Sequence, residues 1–206
     1  MKFSKVLGGV FLLGAVCFAM DVKYFAGIGA GNGSWTIKGT VTKLSTGQSV
    51  SVKLDDDAGL LEIKTGALIN TNHKIYFTFD NVNTSSNNDL KVYGINYDYL
   101  FNAQNPKIEP YIGIAYSLLK YKETLTNDST FTWDKNEAKL NVNAILLKLG
   151  CSYLFNPHNK ISFDYSFSIY TTGDENVGVA FNSEKYNEKV EMDKMSKWVI
   201  SYSYSF

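Results

Sequence analysis

Apolar and polar residues alternate along most of the chain with a period of two, the mark of strands with one apolar face. At the C-terminal end, Trp198, Ile200, Tyr202, Tyr204 and Phe206 share one face, with Ser201, Ser203 and Ser205 on the other. Residues 160–170 repeat this, with Ile161, Phe163, Tyr165, Phe167 and Ile169 against Ser162, Asp164, Ser166 and Ser168. Residues 73–80 set Ile75, Phe77 and Phe79 against Lys74, Tyr76, Thr78 and Asp80. Residues 89–101 set Tyr93, Ile95, Tyr97, Tyr99 and Phe101 against Gly94, Asn96 and Asp98. Two further runs, 108–120 and 143–155, carry Ile112, Ile114, Tyr116 and Leu118, then Ile145, Leu147, Leu149, Cys151, Tyr153 and Phe155. Residues 22–31 and 60–69 complete a set of about eight strands of roughly ten residues, a length that crosses a bilayer when tilted.

The connections alternate in length. Residues 70–72, 102–107 and 156–159 form short ones; 32–58, 81–88, 121–138 and 172–192 form long ones. Short turns on one side and long loops on the other are the outer-membrane arrangement, with both ends of an even-stranded barrel on the periplasmic side. The first long loop, rich in Thr, Ser, Lys and Val, is expected to rise as a hairpin and to offer a contact surface to an extracellular ligand.

Composition fits this reading. The chain has 206 residues, 14 Tyr, 13 Phe and only three Pro, which favours strand structure. Its 20 basic residues are all Lys and balance 20 acids, so it offers no basic face for nucleic acid. Residues 1–19 read as a secretory signal peptide: Lys2 and Lys5, an apolar run over 6–16, then small residues before a cut after Ala19. Val16 ahead of Cys17 argues against a lipoprotein signal. The barrel domain is then 20–206, with 18 basic residues against 20 acidic, and Cys151 is its one cysteine. No internal disulfide and no cysteine-based zinc site is expected.

Alternation alone does not separate a membrane barrel from a soluble sandwich. Three features favour lipid. The polar faces carry Ser, Gly, Asn and paired charges, which suit a narrow interior. Aromatic residues gather at strand ends, as in an interfacial girdle. The last strand also finishes on Phe206. Residues 195–206, Met-Ser-Lys-Trp-Val-Ile-Ser-Tyr-Ser-Tyr-Ser-Phe, resemble the C-terminal assembly signal of bacterial outer-membrane proteins. That resemblance implies recognition of Tyr202, Tyr204 and Phe206 by the barrel-assembly machinery. Residues 93–99 and 111–117 also resemble strands of the small barrels related to the transmembrane domains of outer-membrane proteins A and X. The expected fold is thus all-β, an eight-stranded antiparallel up-and-down transmembrane β-barrel in the outer membrane of a Gram-negative bacterium. No peptidoglycan-binding domain is expected after Phe206.

With the apolar faces turned to lipid, the interior receives Lys23, Glu62, Lys64, Lys74, Asp80, Asp98, Glu109, Lys148, Lys160, Asp164 and Lys197. This near-neutral set, with Glu62, Lys64, Asp80, Asp98, Glu109, Lys148, Asp164 and Lys197 as its network, reads as an ion-paired plug; the rival reading is a gated ion path. His73 and His158 both fall beside short turns, and neither is followed by a serine nucleophile two positions on, so no catalytic residue is assigned. The acids Asp55, Asp56 and Asp57 are consecutive and lack calcium-loop spacing. Gly27, Gly29 and Gly31 are strand glycines with no helix after them. No cofactor or metal is expected. The reading is a plugged barrel, structural or surface-interacting, in contact with outer-membrane lipids. Its alternatives are a narrow channel for small solutes and a lipid-modifying enzyme.

Overall fold

The amphipathic runs form antiparallel strands that hydrogen-bond to one another in a closed ring. This is a computed structural model, describing residues 21–83, 88–101, 105–127, 131–181 and 184–206. The signal segment expected over 1–19 lies outside the described residues. Ten strands are present among these residues: β1 (Val22–Lys43), β2 (Ser49–Ile69), β3 (His73–Asn83), β4 (Asn88–Leu100), β5 (Ile108–Thr124), β6 (Phe131–Trp133), β7 (Glu137–Leu154), β8 (Asn159–Thr172), β9 (Asp174–Phe181) and β10 (Glu184–Ser205). Eight of them run in the order β1-β2-β3-β4-β5-β7-β8-β10, and β10 pairs back onto β1. At that seam a side chain on Gly31 would collide with the Trp198 carbonyl, so a glycine permits the close approach of the two strands.

The ring has the eight strands expected, and β9 and β6 add to it as a flap on β10. Residues 32–58 rise as the hairpin expected, but residues 172–192, expected as a loop, are mostly strand among the described residues. β1 and β2 pair from Val22↔Ile69 up to Thr42↔Ser49, and β1 and β10 pair up to Lys43↔Tyr186. β1 and β10 therefore reach 22 residues each, about twice the length that crosses a bilayer. The physical reason lies in the sequence of β1. Trp35, Ile37 and Val41 alternate with Thr36, Lys38, Thr40 and Thr42, so a β-branched, amphipathic pattern continues beyond the membrane.

Lipid-facing residues form a continuous belt. Ile28, Ile63, Phe77, Ile95, Leu149 and Phe163 all point outward with about half or more of their surface exposed. So broad an apolar surface on a lone barrel has lipid as its solvent. The short-turn rim carries the ring contacts His73–Tyr99, Tyr99–Phe101 and Tyr153–Phe155, together with Tyr204–Phe206. Phe79 packs on Tyr93 toward the opposite rim. These are the two aromatic girdles of a transmembrane barrel.

Candidate functional site

Inward-facing residues of β2, β3, β4, β7, β8 and β10 bring the interior charges together. Lys197 Nζ lies 2.6 Å from Asp80 Oδ2 and 3.0 Å from Glu62 Oε2. Lys64 Nζ lies 3.8 Å from Glu62 and 3.5 Å from Asp164, and donates to the Ser201 hydroxyl. Lys148 Nζ bridges Asp98 at 2.8 Å and Asp164 at 3.5 Å. The Tyr76 hydroxyl donates to Asp98, and the Tyr111 hydroxyl donates to Asp164. Asp80, Lys197, Glu62, Lys64, Asp164, Lys148 and Asp98 thus form one chain of contacts. Lys74 adds a fourth cation, which balances the four acids. Its ammonium sits over the rings of Phe25 at 4.6 Å and Tyr76 at 4.8 Å, where the ring faces offer compensation for a buried cation. Nearer the short-turn rim, Lys160 pairs with Glu109 at 3.2 Å. Lys23 is not part of this set; it is exposed at that rim, where the ring opens to solvent.

The sequence pattern placed mainly small, polar and charged residues inside, and the structure adds an apolar tier. The outer half of the lumen is filled by an apolar plug. Trp35, Leu60, Val82, Leu90, Val92, Leu119, Val142, Leu146, Met195 and Val199 are buried there in one cluster. Period-two reading missed them because they adjoin outward apolar residues directly, as in Leu60-Leu61, Leu118-Leu119 and Val199-Ile200. Where both faces are apolar, alternation disappears. The signal available was the doubled apolar pair itself.

The remaining sequence candidates lie apart from both tiers. His73 Nδ1 is 2.8 Å from the Tyr97 hydroxyl, and His158 Nδ1 is 2.8 Å from the Ser205 carbonyl oxygen, both at the short-turn rim. Tyr202 donates to Asn159 there, while Tyr204 stacks between His158 and Phe206. Cys151 is exposed on the lipid face. Among the described residues, no three His, Cys, Asp or Glu side chains are grouped to hold a metal ion.

Beyond the belt, β2, β1, β10, β9 and β6 continue as a five-stranded sheet. Its back is polar and ion-paired: Lys38–Glu191 at 3.0 Å and Lys53–Asp193 at 2.6 Å, with Thr40 bonded to Ser51. Its front continues the inner face of the barrel and is largely apolar. Between this front and the tops of β5 and β7 lies a cleft of about 460 Å³. Ile37, Tyr121 and Val190 line it and also pack on the plug, so the plug is its floor. The charged side chains it receives are Asp56, Glu123 and Glu188, while Asp55, opposite Thr36, turns its carboxylate to the polar back. Burial, reinforced by the neighbouring Glu123 charge, pushes the Glu188 carboxyl above its ordinary pKa.

Solved structures share this arrangement. The chain superposes on Neisserial surface protein A (NspA) over 90% of its own length and 99% of that chain, with a TM-score of 0.52 and 16% identity. It superposes on the outer membrane protein OprG of Pseudomonas aeruginosa over 89% and 96%, at a TM-score of 0.54 and 13% identity. The N-terminal β-barrel domain of OprF, also from Pseudomonas aeruginosa, gives 90% and 100%, a TM-score of 0.51 and 9% identity. The fold is that of the small outer-membrane β-barrels. No protein-family model and no curated protein sequence matches the chain. In outer-membrane barrels the short turns face the periplasm; here the long strands and the cleft lie at the opposite end from the short turns.

Proposed function

We propose that this outer-membrane barrel is a non-conducting, non-enzymatic protein that stabilises the envelope or engages a surface ligand through its extracellular extension. One observation carries the reading: the lumen is occupied along its length, by the neutral charge network on the periplasmic side and the apolar plug on the outer side. Eight strands leave room only for side chains, and both tiers use that room. The two histidines support the non-enzymatic part of the reading. Their ring partners are a lipid-side phenol and a backbone carbonyl, neither of which is an activated nucleophile. In this reading the belt contacts outer-membrane lipids, and Tyr202, Tyr204 and Phe206 are the residues offered to the barrel-assembly machinery. The test is electrical. Purified barrel in planar bilayers should give no unitary currents, and reproducible unitary currents from the unmodified protein would overturn the proposal in favour of a narrow channel.

A further inference from the structure

The cleft above the plug combines two properties that point to one kind of ligand. Its walls are apolar and aromatic, with Ile37, Leu54, Val177 and Val190 beside Tyr121 and Trp133. Its charged side chains are all acidic: Asp56, Glu123 and Glu188. Lysines of the surrounding sheet are turned to other carboxylates. Lys38 pairs with Glu191, Lys43 with Glu184, Lys53 with Asp193 and Lys135 with Glu175. Among the described residues, none of the three cleft carboxylates has a cationic partner within ion-pair distance. Glu123 accepts from the Tyr121 hydroxyl at 3.3 Å, a neutral donor.

Each alternative ligand class leaves something unmatched. An anion would meet three carboxylates. A neutral apolar molecule would cover the walls and desolvate the acids without compensation. A compact metal cation would gain nothing from the walls. A hydrophobic body bearing one ammonium matches both: aliphatic side chains take the body, while carboxylates and the faces of Tyr121 and Trp133 take the charge. The cleft volume is that of a small-molecule site. We propose that the cleft binds a small amphiphilic organic cation, an amine carried on an aromatic or aliphatic body. The proposal rests on the reading that the extension, rather than a pore, is the working part of the protein. The raised pKa of Glu188 is consistent with it, since a bound cation would offset the desolvation of that carboxylate and its repulsion by Glu123.

The experiment is calorimetric titration of the full folded barrel in phosphatidylcholine nanodiscs, with empty nanodiscs subtracted. Three probes share one body: 2-phenylethylammonium, 2-phenylethanol and 3-phenylpropionate. The expected result is saturable one-to-one binding of the ammonium, at least tenfold weaker binding of the alcohol and none of the carboxylate. Glu188→Gln and Glu123→Gln should each weaken the ammonium about tenfold and leave the alcohol unchanged. No saturable binding of the ammonium by the unmodified protein, or equal binding of all three probes, would overturn the proposal whether or not the variants fold. Failure here with silent bilayers removes the ligand class but leaves the non-conducting reading intact; unitary currents remove that reading instead.

Discussion

Replacing Lys197 with methionine isolates what the interior charge network contributes. Methionine keeps much of the apolar stem and removes the ammonium. That ammonium is 2.6 Å from Asp80 and 3.0 Å from Glu62, and the Asp80 side chain has no exposed surface. At an effective dielectric of about 20, each contact is worth roughly 6 kcal/mol of Coulomb attraction. Against this stands the cost of desolvating the lysine, several kcal/mol, which the substitution recovers. The acids then differ in what they keep. Glu62 still has Lys64 at 3.8 Å. Asp80 loses its one ion-pair partner among the described residues, and its Oδ1 accepts no hydrogen bond even with Lys197 present. An uncompensated buried charge of this kind costs about 3–5 kcal/mol. The assay is urea unfolding in phosphatidylcholine vesicles, followed by tryptophan fluorescence. Lys197→Met should lose that amount, and adding Asp80→Asn should recover at least half, because the network then has three cations and three anions. A loss below about 1 kcal/mol, or no recovery in the double variant, would refute the claim that paired charges hold the inner tier together.

Four further outcomes are expected. Ile95→Lys places a charge near the middle of the lipid belt and should destabilise the vesicle-embedded barrel by about 2–4 kcal/mol in the same unfolding assay. Leu119→Ala hollows the plug and should cost about 2–5 kcal/mol without creating conductance, since the charged tier still closes the lumen. A side chain at Gly66 would collide with the Ile75 carbonyl and the Tyr76 Cβ of β3, whereas one at Gly59 meets nothing closer than 4.0 Å. Gly66→Val should therefore lose the heat-modifiable folded band on gels while Gly59→Ala keeps it. The raised pKa of Glu188 means that its ionised form is disfavoured in the folded extension. That cost is absent below the ordinary carboxylate pKa and full above the raised one, so Glu188→Gln should slow hydrogen exchange in β9 and β10 at pH 8 and leave it unchanged at pH 4.

The outer face and the inner charges were both legible in the sequence, for one reason. A strand between lipid and a polar lumen changes character at every residue, so Phe77, Thr78, Phe79 and Asp80 declare their sides directly. The same rule placed Glu62, Lys64, Lys148 and Asp164 inward before any contact among them was known. Their pairing was not readable, because it joins strands far apart in the chain, such as Lys197 with Glu62. The plug was hidden by its own chemistry, since apolar residues on both faces erase the period. The cleft was hidden because its carboxylates, Asp56, Glu123 and Glu188, come from three separate stretches and nothing in their spacing connects them.

β10 shows why the extension was the hardest part to read. In the barrel its inward residues are Ser203, Ser201, Val199, Lys197 and Met195, all odd-numbered. Above that the ladder with β1 slips: Thr36 faces Lys194, but Ile37 faces Met192, which leaves Asp193 as an extra residue. This is a β-bulge, and it moves the inward set to even numbers, Met192, Val190 and Glu188. The Thr171 hydroxyl donates to the Met192 carbonyl at 2.8 Å, and Asp193 carries its side chain out to Lys53. A strict period of two breaks at that residue, so the stretch looked like a loop although residues 184–192 are paired. The bulge also has a functional consequence. Without the slip, the odd-numbered parity would turn Glu188 and Val190 to the polar back and Lys189 and Glu191 toward the cleft. The acidic, apolar character of the cleft therefore depends on one inserted residue at the point where the barrel leaves the membrane.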